Sequence, residues 1–106
     1  MPDYFELDAL LAMATVAPRD LVKTLMDIDW APETEAKIGQ IDARLPALRD
    51  LEELARRRII ESPVLAGKPL PPVPPPTVLG EFTVVMAVRT AIEKLAATRE
   101  ALARKR

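Results

Sequence analysis

The chain has 106 residues and a mass of 11.7 kDa, the size of one domain. Its net charge is −1, and it contains neither Cys nor His. The missing Cys excludes disulfides and thiolate nucleophiles, and the missing His excludes imidazole bases and imidazole metal ligands. We therefore predict no catalytic residue, no metal site and no cofactor, and we expect neither an enzyme nor a small-molecule substrate.

The charges are unevenly distributed along the chain. Residues 1–35 carry eight acidic and two basic side chains, a net −6, whereas residues 36–106 carry a net +5. Regions of opposite sign can attract each other within one molecule or between copies. No apolar run approaches the roughly 18–20 residues of a membrane span. The first six residues are acidic where a secretory signal is basic, so we expect a cytoplasmic protein or part of an assembly built there.

Three helices are predicted in the first 62 residues, at about 3–16, 18–28 and 33–61. The third has apolar residues at helical spacing, namely Ile38, Ile41, Leu45, Leu48, Leu51, Ala55 and Ile59. Pro46 lies inside it, where a proline removes one backbone hydrogen bond. We expect either a kink at Pro46 or two separate helices. Glu52–Arg56 and Glu53–Arg57 are predicted ion pairs on its second half.

Residues 63–77 form a proline-rich segment that holds seven of the eleven prolines. This composition excludes a helix and predicts an extended polyproline II conformation. Lys68, Pro71 and Pro74 follow the pattern of a basic residue and two prolines, each separated by two residues. Segments with this pattern dock into aromatic-lined grooves of protein partners. The alternative is a stiff spacer that packs along its own chain or a neighbour.

Residues 78–106 predict a long C-terminal helix. Its apolar positions form a short heptad stripe interrupted by Arg99, and they are predicted to bind a protein partner or a second copy: Val85, Val88, Ile92, Leu95 and Leu102. A short β-hairpin near 59–65 and 78–85 is the alternative for the first part of this region, because residues 81–86 are rich in β-branched side chains.

Residues 48–62 resemble the end of the recognition helix and the start of the wing in winged-helix regulators. That resemblance implies DNA binding by two basic clusters, Arg56, Arg57 and Arg58 with Arg104, Lys105 and Arg106. The candidate recognition helix also carries Asp50, Glu52 and Glu53, and Arg58 stands where a glycine usually ends that helix. The basic clusters also have an explanation that involves no DNA. Acidic side chains lie one helical turn away from several of them, and basic residues near a helix C-terminus interact favourably with the helix dipole.

The sequence thus predicts a mainly α-helical single domain in which the stripes of residues 38–59 and 85–102 pack on each other in an antiparallel return. The expected function is a non-enzymatic structural or protein-interaction subunit. It would dock into a larger assembly, such as a virion, or form a homo-oligomer. A small DNA-binding regulator is the alternative, with nucleic acid disfavoured as a partner and no membrane involved.

Overall fold

A computed structural model describes residues 6–61 and 79–105, and within these ranges the chain is helical without any strand. This confirms the predicted mainly α-helical class. The elements in chain order are α1 (Leu7–Val16), a 3₁₀ turn (Pro18–Asp20), α2 (Leu21–Leu25), α3 (Thr34–Ile60) and α4 (Leu79–Arg104). The predicted second helix is therefore shorter than expected, since 18–20 is a 3₁₀ turn and the α-helix ends at Leu25.

Helix α3 runs unbroken through Pro46, so the alternative of two separate helices is wrong. Proline cannot donate to the carbonyl of Asp42, one turn earlier. Packing offsets this loss, because the apolar stripe continues on both sides of the proline while Pro46 itself is exposed. All seven predicted stripe positions of α3 are buried: Ile38, Ile41, Leu45, Leu48, Leu51, Ala55 and Ile59.

Helices α3 and α4 form an antiparallel pair, as predicted, with the most extensive contacts in the fold. Arg99 of α4 binds Asp42 of α3, and Arg89 of α4 binds Glu52 of α3. From the first ion pair to the second, the residue number falls by ten on α4 and rises by ten on α3. The two chain segments therefore run in opposite directions, as an antiparallel pair requires. This orientation also places the start of α4 beside the end of α3, in a molecule 49 Å long and about 25 Å wide.

Helices α1 and α2 pack mainly on α4, which thereby contacts every other helix. A second apolar stripe of α4 accounts for this position, since Val84, Ala87 and Ala91 are buried beside the predicted stripe. From α1 and α2, Leu7, Leu10, Leu21 and Leu25 complete the core. At the start of α4, a Cβ on Gly80 would lie 3.6 Å from Leu11 of α1, an ordinary packing distance.

The alternative β-hairpin near 59–65 and 78–85 is wrong where the structure describes it. Residues 59–60 end α3 and residues 79–85 begin α4. The β-branched residues there, including Val84 and Val85, are buried in helix contacts, which override their local preference for strand. The predicted proline-rich segment at 63–77 lies outside the described residues.

Candidate interaction surfaces

The α4 stripe that the sequence assigns to a partner is largely enclosed within the chain. Val85, Val88 and Leu95 are buried, and Ile92 and Leu102 are half-buried against the same core. Because α3 and its neighbours cover these side chains, another protein cannot reach the buried three while α4 stays packed. Of the remaining predicted protein-binding residues, Lys68, Pro71 and Pro74 lie outside the described residues.

The opposite face of α4 carries exposed apolar residues that the sequence reading missed. Leu79 is 53% exposed and Met86 is 58% exposed. They are seven residues apart, so they share one face of the helix, and we call this pair the outer patch. Phe82, between them, is half-buried against the core. Together with the buried Val84 and Val85, these residues place apolar side chains on both the buried and the exposed side of the first turns of α4, where Glu81 is the charged residue. A helix that is apolar on opposite sides is typically covered on both.

The basic clusters do not form one surface. Arg56, Arg57 and Arg58 lie at the end of α3, whereas Arg104 and Lys105 lie at the end of α4. The antiparallel pairing of these helices separates the two clusters by the length of the bundle. Arg106 lies outside the described residues.

Several of these cations have acidic partners. Arg57 lies 3.5 Å from Glu53, as predicted, and Arg104 lies 3.6 Å from Glu100. Arg58 reaches across to α1, where it binds Asp8 at 2.8 Å. The predicted Glu52–Arg56 pair is wrong, because the carboxylate of Glu52 binds Arg89 of α4 instead, at 3.0 Å.

Hydrogen bonds join the connector between α2 and α3 to two side chains of α3, Arg44 and Gln40. Arg44 donates to the carbonyl of Leu25 from Nε and Nη2, at 3.1 and 3.0 Å, and to the carbonyl of Asp27 at 3.0 Å. A guanidinium at these positions satisfies carbonyls that the end of α2 leaves without helical partners.

One turn before Arg44, Gln40 bonds the connector on both sides of Trp30. Its Nε2 donates to the carbonyl of Asp29 at 2.7 Å, and its Oε1 accepts from the N–H of Ala31 at 3.0 Å. Trp30, the only tryptophan of the chain, stays 41% exposed. The connector is thus a fixed loop that presents an aromatic side chain at the surface.

Asp42 of α3 and Arg99 of α4 form an ion pair at the surface, and the pair alters the titration of the arginine. Asp42 raises the pKa of Arg99 above its ordinary value, chiefly through their hydrogen bond and then through charge. A raised arginine pKa contributes stability at all pH values below the ordinary arginine pKa, and this contribution is lost only when the pH rises through the raised value. Arg99 therefore stays charged across neutral pH.

One open cleft of about 310 Å³ is lined by Asp20, Lys23, Thr24 and Asp27. Within residues 6–61 and 79–105, no group of three acidic side chains is arranged to hold a metal ion. Over the same ranges, none of the helices has the length and apolar character that a membrane crossing requires.

Comparison of the chain with protein-family models, with curated proteins and with solved structures gave no match.

Proposed function

We propose that this protein is a non-enzymatic interaction subunit of the cytoplasm, or of an assembly built there. It docks onto a protein partner or a second copy of itself through the outer patch of α4. The observation that supports this proposal most directly is the exposure of Leu79 and Met86 on the face of α4 that lies opposite its buried residues. Apolar side chains grouped on one face mark interaction sites more often than singly scattered ones.

The position of the patch supports the same conclusion. Its neighbour Phe82 is half-buried beside it, so an incoming apolar side chain would extend an existing core. Ile60, a further apolar residue that is 37% exposed, ends α3 at the same end of the bundle as the start of α4. The charged residues of α4 that the structure describes lie mostly in its second half, away from the patch.

The test compares the full chain with the double variant Leu79→Ser/Met86→Ser. Sedimentation velocity over a wide concentration range measures self-association, and immobilised protein exposed to lysate of the source cells measures partner capture. We expect the double variant to lose the association that the parent chain shows. The matched control is Val16→Ser at the end of α1, which removes an apolar side chain that is 85% exposed outside the patch.

Two outcomes would contradict the proposal. One is a folded parent chain that stays monomeric and captures nothing beyond what the double variant captures. The other is salt-dependent binding of duplex DNA that Arg56→Ala weakens, which would support the regulator alternative instead.

A further inference from the structure

The loop around Trp30 has features of a second binding surface, separate from the outer patch. Gln40 lies near the start of α3, beside the end of α4, whereas Leu79 and Met86 lie near the start of α4. Because Asp42 pairs with Arg99, Gln40 is level with about residue 101 of α4. About 15 residues of helix separate that level from Met86 and about 22 separate it from Leu79, which corresponds to about 23 Å and about 33 Å. A result at one surface therefore leaves the other untouched.

The first observation is that the backbone on both sides of Trp30 is fixed. Gln40, the only glutamine in the chain, accepts from the residue after Trp30 and donates to the residue before it. Arg44 fixes the same loop further upstream through the carbonyls of Leu25 and Asp27. A tryptophan on a fixed backbone loses little conformational freedom on binding, which is the property of the residues that contribute most to interfaces.

The second observation is the charge around that tryptophan. Asp27, Asp29 and Glu33 are all exposed and lie within three residues of Trp30. Within residues 6–61 and 79–105, none of the three carboxylates forms an ion pair with Lys or Arg. The exposed indole and the carboxylates that flank it along the loop are complementary to a guanidinium, which can stack on an aromatic ring and donate hydrogen bonds to carboxylates.

We propose that the Trp30 loop binds an arginine-bearing segment of a partner protein. In this arrangement a guanidinium stacks on the indole of Trp30, and Asp29 and Glu33 neutralise the segment's charge. Gln40 is a positioning residue, which contributes by holding the loop in place and not by contacting the segment.

Trp30 supplies its own probe, because it is the only tryptophan. Nona-arginine peptide is titrated into the full-length chain while tryptophan emission is recorded, and nona-lysine and nona-glutamate serve as comparison peptides. We expect a saturable change in emission with nona-arginine, weaker binding of nona-lysine, and none of nona-glutamate. Added salt should weaken the binding.

The variants are measured by anisotropy of a labelled nona-arginine peptide. Trp30→Ala should weaken binding by about tenfold or more, and Trp30→Phe by about two- to fivefold, because the indole is the best partner for a cation. Asp29→Asn/Glu33→Gln should weaken it by about three- to tenfold. The matched control is Asp50→Asn/Glu61→Gln, which removes the same two charges from exposed positions elsewhere.

Gln40→Ala separates a built surface from simple attraction to negative charge, since it leaves the net charge unchanged. Weakened binding in this variant, with circular dichroism and melting that still show a folded chain, supports the proposal. Equal affinity in Gln40→Ala, Trp30→Phe and the parent chain would overturn it, as would equal losses in the two charge variants. A change of emission with protein concentration alone, before any peptide is added, would assign the loop to a second copy and overturn it as well.

Discussion

The α3–α4 pair and the N-terminal region at residues 6–33 are held in place by different kinds of contact. The pair is joined by two long apolar stripes with an ion pair toward each end. The N-terminal region contributes a few leucines to the core, and its connector is fixed by hydrogen bonds from Gln40 and Arg44. The first arrangement spreads its stability over many side chains, whereas the second depends on a few.

This difference means that the residues that stabilise the fold are not the residues that hold Trp30 at the surface. The apolar pair supplies the rigid support, and the loop that it carries presents Trp30 at the surface. A contact network of two side chains can be altered without dismantling the helices beneath it. The expected effects of substitutions therefore differ in kind between the two regions as well as in size.

The largest effect is expected in the apolar pair. Leu95 is fully buried in α4, so Leu95→Ala should lower the free energy of unfolding by about 2–5 kcal/mol. Because α4 contacts every other helix, we expect both regions to melt together in one transition. Urea unfolding followed by circular dichroism and by Trp30 emission measures both.

Leu54→Ala is the matched control, since Leu54 is 46% exposed on α3 and loses the same atoms. It should change the stability by about 0.5 kcal/mol or less. Equal losses in the two variants would contradict the assignment of the core. A Trp30 signal that melts separately in the parent chain would show that the two regions unfold independently.

The same contrast explains how much of the fold the sequence predicts. The α3 stripe is a periodic signal, and every position that it indicates, from Ile38 to Ile59, is buried. Ala87 and Ala91 of the second α4 stripe were not predicted as core positions, because alanine is small and also occupies exposed positions of the same helix, such as Ala97 and Ala101. Their burial depends on where α1 and α2 dock, which no local pattern specifies.

The two surfaces proposed for binding were not predictable for a related reason. Gln40 and Arg44 bond backbone N–H and C=O groups, which occur along the whole chain, so the side chains alone do not identify their partners. The sequence places Leu79 and Met86 in an apolar part of α4 but does not show which side of that helix is covered, so their exposure could not be predicted. Conversely, Val85, Val88 and Leu95 were predicted to bind a partner because a stripe does not tell whether its complement lies on the same chain.

A smaller and more local effect is expected when the connector loses its support. Arg44→Ala removes three hydrogen bonds from a charged donor to the carbonyls of Leu25 and Asp27, a loss of about 1.5–3 kcal/mol. Hydrogen exchange should then accelerate over residues 21–31 while the buried turns of α3 and α4 stay protected.

The control for Arg44→Ala is Arg49→Ala, which removes an exposed arginine from the same helix. It should leave exchange in residues 21–31 unchanged. Uniform loss of protection over the whole chain in Arg44→Ala would show that the connector is an integral part of the core, and the distinction between the two regions would fail.

The smallest effect concerns the ion pairs that accompany the apolar stripes. Glu52 lies between core positions of α3, its side chain is only 18% exposed, and it binds Arg89 of α4. The neighbouring Glu53 has a side chain that is 60% exposed and binds Arg57 within α3. Glu52→Gln and Glu53→Gln thus make the same chemical change at adjacent positions in different surroundings.

We expect Glu52→Gln to cost about 0.5–1.5 kcal/mol, because it leaves Arg89 without its partner at the helix interface, and Glu53→Gln about 0.5 kcal/mol or less. Urea unfolding at low and high salt measures both, and the cost of Glu53→Gln should vanish at high salt because an exposed pair is screened. Equal costs with equal salt dependence would show that the ion pair between α3 and α4 contributes no more than a surface pair. The antiparallel register would then depend on the apolar stripes and on the remaining Asp42–Arg99 pair.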